Sequence, residues 1–270
     1  MHDTPHGAAV TATGYGLQGP RGWAFRDVAL TARPGSLVAV AGPSGSGRTC
    51  LLLALTGRMA TTAGTAEVAG LPLPKKKAAV RAVTALAHVP GVTDLEPALT
   101  VAEHLRERTL LQRRFGGSSP NAAGDALRAL LRPRRERTAA ARARIDAALE
   151  AAGLDLATLP KGDRTSVRDL DRPEALRLSI ALALIGRPRL LAVDDTDMKL
   201  SDTERADVWA TLRALAAAGT TVLAVCSQAP DGAVVVRTGR GTGSEPGSGG
   251  TGAHDERKGA ADALAEAGRA

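Results

Sequence analysis

The sequence predicts an α/β fold with a mostly parallel central sheet, an N-terminal antiparallel β portion and an inserted α-helical part. Three observations predict it. Short apolar runs alternate with helical stretches along most of the chain, the pattern of a parallel sheet with helices on its faces. One of those runs, Ser36 to Ala41 (SLVAVA), feeds a glycine-rich loop that opens directly into a helical stretch. The region of about 100–185 carries helix signals and no strand, which marks an insertion.

Taken in order, residues 1–9 are expected to be flexible. Val10 to Thr13 and Trp23 to Leu30 read as short strands around a Gly-rich turn. Pro34-Gly35 is a turn, and Ser36 to Ala41 has the unbroken apolar character of a strand buried on both faces. Thr49 to Thr56 reads as a helix stopped by Gly57. Thr65 to Val68 reads as a strand, Lys75 to Lys77 as a solvated basic turn, and Thr84 to Val89 as a strand ending at Pro90. Thr100-Val-Ala-Glu103 is a capping box that opens a helix toward Gln112. Residues 116–124 read as a loop, and 125–152 as two helices split at Pro133. Asp171 is an N-cap for a helix over Arg172 to Ile185, with Glu174 completing the box. Arg189 to Val193 is a strand that ends in two acids. Thr203 to Ala217 is an amphipathic helix, and Thr221 to Val225 and Ala233 to Val236 are the last strands. From Thr238 the chain is Gly- and Ser-rich with too little apolar content to fold, so 238–270 is expected to be a disordered tail with a short Ala-rich helix near 260–267.

Composition narrows the classes of function. The formal charge is +7 on 270 residues, which favours anionic partners in general; a solvated Arg-rich surface is the plainer account. The one Tyr, two Trp and two Phe do not interleave with the basic runs, so neither a stacking platform for bases nor a nucleic-acid partner is expected. Arg132 to Arg137 (RPRRER) reads as an exposed helix junction. Cys50 and Cys226 have no metal or redox spacing and read as small core residues in a reducing compartment. His2, His6, His88, His104 and His254 show no ligand spacing. No signal peptide is evident, and runs such as LSIALALIG are too short to span a bilayer. The expectation is a soluble chain whose membrane role, if it has one, comes through a partner.

The loop carries the chemistry. Gly42 to Thr49 (GPSGSGRT) has the form G-x-x-x-x-G-[basic]-[ST]. Glycines let backbone N–H groups turn inward around phosphate oxygens without Cβ clashes. The helix that follows points its positive end at the anion, and the Thr49 hydroxyl is a ligand for Mg²⁺. Gly42, Pro43, Ser44, Gly45, Ser46, Gly47, Arg48 and Thr49, with Cys50 next on the helix, are the candidate positions for a nucleoside triphosphate. Arg48 stands where the usual motif has Lys; it keeps the charge but is planar and bulkier, so the exchange alters geometry. A loop of this kind needs an acid at the end of a neighbouring strand. LLAVDD supplies Asp194, to hold Mg²⁺ through water, and Asp195, where an attacking water is polarised.

With these residues in place the chain resembles the ATP-binding cassette family, the nucleotide-binding subunits of ABC transporters, over roughly residues 10–237. The resemblance identifies Gly42 to Thr49 as Walker A and Leu190 to Asp194 as Walker B. Tyr15, in GYG upstream of the loop, resembles the aromatic that stacks on adenine; its rival reading is a core or turn tyrosine. HVPGVTDLEPALTVAEHL resembles the Q-loop region, and LSIALALIGRPRLLAVDD the run from the signature helix into Walker B. The resemblance implies a P-loop NTPase core with ATP and Mg²⁺ as ligands. It also implies a helical subdomain at about 100–185 on which a membrane-spanning subunit docks, a homodimer or heterodimer with another nucleotide-binding subunit, and a peripheral place at the inner face of the cell membrane.

Six positions depart from the family pattern. Besides Arg48, Gly91 stands at the Q-loop glutamine, Leu170-Asp171-Arg172-Pro173-Glu174 replaces the LSGG[QE] signature, and Asp195 replaces the water-polarising glutamate. Ser201 stands at the D-loop aspartate and Ser227 at the switch histidine. Asp195 is one methylene short of the reach of Glu. Asp171 brings negative charge to a place built for an anion, and Ser227 offers no imidazole. Nucleotide binding with impaired hydrolysis is therefore the expected behaviour. The competing readings are a non-catalytic regulatory or scaffold module and a P-loop kinase; the helical insertion between loop and acid suits a cassette better. No long heptad coiled coil interrupts the chain, which sets it apart from DNA-repair cassettes.

Overall fold

The computed structural model describes residues 7–115, 133–197 and 199–239. Among them are nine strands and six α-helices in two sheets. β1 (Val10–Gly19), β2 (Gly22–Ala32), β4 (Ala63–Val68) and β5 (Leu71–Leu73) form an antiparallel sheet of order β2-β1-β4-β5. β6 (Thr84–Leu86), β7 (Leu190–Val193), β8 (Thr221–Cys226), β3 (Leu37–Ala41) and β9 (Val234–Arg237) form a wholly parallel sheet in that order. The helices are α1 (Arg48–Leu55), α2 (Lys77–Val83), α3 (Val101–Phe115), α4 (Arg134–Ala152), α5 (Arg172–Leu184) and α6 (Asp202–Ala217). The mixed α/β expectation is met, with α3, α4 and α5 all falling between β6 and β7 in the chain.

Strand alternation divides the core. Leu37, Ala39 and Ala41 join Leu191, Val193, Val222 and Ala224 on the face covered by α3 to α6. Val38 and Val40 join Leu190, Ala192, Leu223 and Val225 on the face covered by α1 and the antiparallel sheet. A strand buried on both faces must be apolar at every position, which is why SLVAVA and TVLAVC show no alternation.

Helix ends follow the chemistry of their first turns. At α5 the Asp171 carboxylate accepts from Glu174 N at 2.7 Å, and Asp171 N donates to the Glu174 carboxylate at 2.9 Å. Thr100 and Glu103 close the same box before α3, and Ser201 with Glu204 before α6. At the other ends, α1 and α5 present carbonyls, and α2 the Thr84 hydroxyl, to three arginines. Arg58 donates to Thr56 O and the Thr84 hydroxyl, both at 2.9 Å, Arg81 to Gly57 O at 3.1 Å and Arg108 to Leu182 O at 3.0 Å. Burial, then the charges of Arg81 and Arg108, lowers the Arg58 pKa to about 10. The negative helix ends are what hold these cations together.

Several expectations change. Residues 1–9 are not all loose: Ala8 is buried and donates to Arg189 O, Arg189 donates to Gly7 O, and Thr221 donates to Ala8 O. β1 and β2 are longer than the short strands expected, because irregular pairing at Tyr15 and Leu17 lets the Gly-containing segment stay in the ladder. β5 and α2 were not foreseen; Lys77, expected in a solvated turn, opens α2, whose single buried residue is Val80. Thr238, expected to begin a tail, is buried and donates its N–H to Ala41 O. The expected loop at 116–124, the first helix of the 125–152 pair and the tail beyond Gly239 lie outside the described residues.

Candidate functional site

The loop between β3 and α1 is shaped by what presses on each glycine. A Cβ on Gly47 would stand 2.0 Å from Ala24 O of β2, and one on Gly42 would stand 2.5 Å from the Thr238 hydroxyl oxygen. Gly47 is the N-cap of α1 with φ 77° and gives no side-chain cap. The loop can therefore lie flat against β2 and β9 only with glycine at these two positions. Gly45 has φ 74°, but a Cβ there would meet nothing within 4 Å; it marks the open side, toward which a ligand can approach. An α-helix whose N-terminus lacks a side-chain cap behind such a loop has the donor geometry that suits an anion.

Two of the candidate residues are turned away from that side. Ser46 is 1% exposed; its hydroxyl pairs with the Thr238 hydroxyl at 2.7 Å and its N–H donates to Pro43 O. Its role is to fasten the loop to the end of β9. Tyr15 is 0% exposed, its ring lies 6.0 Å from that of Phe25 and its hydroxyl meets Ala54 O at 3.5 Å. Burial raises its pKa. A ring enclosed on both faces cannot stack on a base, so Tyr15 is a core residue; strict alternation from Val10 and Ala12 would turn it outward, and the irregular pairing of β1 before Tyr15 turns it in. Pro43, Ser44 and Gly45 are exposed, and Cys50 is half-buried with its thiol raised first by burial and then by the Asp194 charge.

The acids meet the loop from β7. Asp194 is 2% exposed. Thr49 Oγ1 donates to its Oδ2 at 2.5 Å and Asp195 N donates to its Oδ1 at 2.8 Å. Its own N–H donates to His88 O at 2.7 Å, fixing the end of β7 to the chain leaving β6. Burial pushes its pKa up to about 6 against the Thr49 hydrogen bond, with Asp195 raising it further. Thr49 and Asp194 thus place two hard oxygen atoms side by side, the donor type that Mg²⁺ takes. Asp195 follows in the left-handed region at φ 49°, an uncommon conformation for a residue with a Cβ. Arg48 donates to Cys226 O at 2.9 Å, tying the loop to β8.

The other departures serve local structure. Gly91 has φ 76° and donates to Asp94 at 2.9 Å. Asp171 and Ser201 are the helix caps described above. Ser227 donates through N and Oγ to Asp197 Oδ2 at 2.6 and 2.5 Å. Asp197 and Thr238 escaped the sequence reading because their partners lie 30 and 192 residues away. Behind the site, His88 Nε2 and Arg172 Nε are buried without a partner among the described residues. Burial, then Arg172, lowers the His88 pKa to about 4.

Comparison with known proteins bears on the family and the fold. The ABC transporter family profile matches residues 25–197. The Nod factor export ATP-binding protein I of Cupriavidus metallidurans is 31% identical over 194 residues, covering 72% of this chain and 54% of that protein. That of Paraburkholderia xenovorans is 32% identical over 190 residues, covering 70% and 53%. The chain spans about half the length of the curated relatives it matches. A dimeric ATP-binding cassette in a post-hydrolysis state bound to ADP and Pi shares the fold with TM-score 0.61 and 20% identity, over 81% of this chain and 88% of that one. A bacterial Atm1-family ABC exporter with ATP bound does so with TM-score 0.59 and 22% identity, over 84% and 36%.

Proposed function

The chain belongs to the ABC transporter family, and from that premise we propose that it binds Mg-ATP at Gly42 to Cys50 and uses occupancy to drive or gate a separate membrane-spanning partner. The observation that carries this reading is the 2.5 Å contact between Thr49 Oγ1 and Asp194 Oδ2 at the foot of the glycine-shaped loop. Thr49 and Asp194 would hold Mg²⁺, whose chemistry is to neutralise phosphate charge. The α1 N-terminus and Arg48 would orient the phosphates, with Arg48 moving off Cys226 O to do so. Asp195 occupies the water-polarising position.

Residues 10–237 form the nucleotide-binding domain in this reading, with the helical subdomain at about 100–185 as the docking part for the partner. Among the described residues no helix is long and apolar enough to cross a membrane. The chain would work at the inner face of the membrane as one half of a homodimer or heterodimer. Likeness to export subunits makes outward transport the first direction to test. Hydrolysis by this chain is impaired: Asp195 is short, and Gly91, Asp171, Ser201 and Ser227 are committed to turns and caps. That commitment also favours a second reading, a non-catalytic regulatory or scaffold module in which nucleotide only sets a conformation.

Calorimetric titration of the full chain with ATP and Mg²⁺, beside Gly47→Asp, tests the central claim. Binding to the parent chain and none to the variant is expected. Equal and negligible heat from both sinks the site. ATP turnover at the rate of competent cassettes would remove the impairment. Co-purification of a membrane-spanning protein with the chain separates transporter from scaffold.

A further inference from the structure

The first residue of the phosphate loop and the residue after β8 stand side by side. Ala41 pairs with Cys226 in parallel register, so Ser227 follows at the level of Gly42. Arg48 reaches the same place, donating to Cys226 O at 2.9 Å. Ser227 is exposed, and its hydroxyl is a natural donor for a ligand seated in the loop. Asp197 takes that donor away. One oxygen of its carboxylate accepts from Ser227 Oγ at 2.5 Å, Ser227 N at 2.6 Å and Gln228 N at 3.4 Å. The neighbouring Thr196 is fixed in turn, its N–H and hydroxyl both donating to Val225 O. The two segments therefore move together, and Asp197 stays opposite Ser227.

A serine hydroxyl has one proton and two lone pairs. Charge-assisted bonding commits that proton to Asp197, so only lone pairs face outward. A terminal phosphate is an acceptor and receives no hydrogen bond from the Ser227 hydroxyl. We propose that Asp197 is a positioning residue that turns the Ser227 hydroxyl away from bound nucleotide and so limits discrimination between a nucleoside triphosphate and a diphosphate. The inference rests on the nucleotide reading of the loop. The plainer alternative, that Asp197 merely caps the turn at 227–228, predicts a change in stability with no change in nucleotide preference.

The test is the ratio of ATP to ADP affinity, measured with fluorescent nucleotide analogues on the full chain with Mg²⁺. The parent chain binds the two within about threefold of each other, because the Ser227 hydroxyl does not mark the terminal phosphate. Ser227→Ala leaves the ratio unchanged, since the hydroxyl is already committed. Asp197→Ala frees the proton and raises the preference for ATP by about tenfold, the low end for a hydrogen bond to a charged group. Combining Asp197→Ala with Ser227→Ala restores the parent ratio, a reversal that a purely structural role would not produce. An unchanged ratio in Asp197→Ala, a gain that survives in the double variant, or a lowered ratio in Ser227→Ala overturns the proposal. The Ser227→Ala arm stands even if Asp197→Ala does not fold. Failure of the parent chain to bind either nucleotide sinks the loop reading itself and is distinct from all of these.

Discussion

Replacing Asp194 by Asn should stabilise the protein at neutral pH while weakening the Mg²⁺-dependent binding proposed for it. The Asp194 pKa is raised from 3.8 to about 6 by burial. The native state therefore binds this proton more tightly than the unfolded chain does. The stability it confers is full below about pH 4 and is lost as pH rises through 6, about 3 kcal/mol in all. His88 runs the other way, lowered from 6.5 to about 4; its contribution is present above pH 6.5 and is lost as pH falls toward 4. Over that window the two slopes oppose, and the parent protein should show a shallow pH profile. Asn keeps the bond from Asp195 N and can offer its amide to the Thr49 hydroxyl, so no buried polar atom is stranded. Urea unfolding of Asp194→Asn should give a gain of about 2–3 kcal/mol at pH 7.5, or about 1 M in midpoint, and less than about 1 kcal/mol at pH 4.5. The variant's stability should climb with pH between 4 and 6.5 as His88 acts alone. A variant no more stable than the parent at pH 7.5, or one with the parent's slope, would refute the assignment of the burial cost to this carboxylate.

Two further outcomes follow from the same geometry. Gly47→Ala places a Cβ 2.0 Å from Ala24 O at φ 77° and should cost more than about 3 kcal/mol. Gly45→Ala meets open space and should cost only the left-handed penalty of about 1 kcal/mol; thermal melting compares them, and equal losses would contradict the packing. Arg58→Met removes the cation from Thr56 O, which keeps the Thr84 hydroxyl, and from the Thr84 hydroxyl and carbonyl, and should cost about 2 kcal/mol. Arg81→Met, at an exposed position, should stay within about 1 kcal/mol; chemical denaturation that ranked them the other way would overturn the account of the helix ends.

The features legible in the sequence were those set by near neighbours. Asp171 with Glu174 and Thr100 with Glu103 announced helix starts because a capping box is complete within four residues. SLVAVA announced a doubly covered strand because its whole environment is apolar. The glycine-shaped loop between β3 and α1 was readable because its glycines sit at fixed offsets. What sequence could not supply was the far partner. Tyr15 lies in a polar-looking GYG, and only the packing of Phe25 and α1 against it shows that its ring is enclosed. Ser46 looked like a ligand residue until Thr238 closed over it. α2 was missed because its single buried residue leaves no apolar stripe to read.

The place of β3 in the parallel sheet bears on how the chain is made. Its two neighbours, β8 and β9, are the last strands described. During synthesis the antiparallel sheet can assemble as soon as residue 73 has emerged, yet β3 has both edges bare until residues 221–237 leave the ribosome. At ordinary elongation rates that wait is roughly 10–40 s. Through that interval the most apolar stretch upstream of the nucleotide loop is an unpaired template for another nascent chain. Early folding of the antiparallel sheet against residues 36–41 would cover one face of that strand but leave its two edges to wait for β8 and β9.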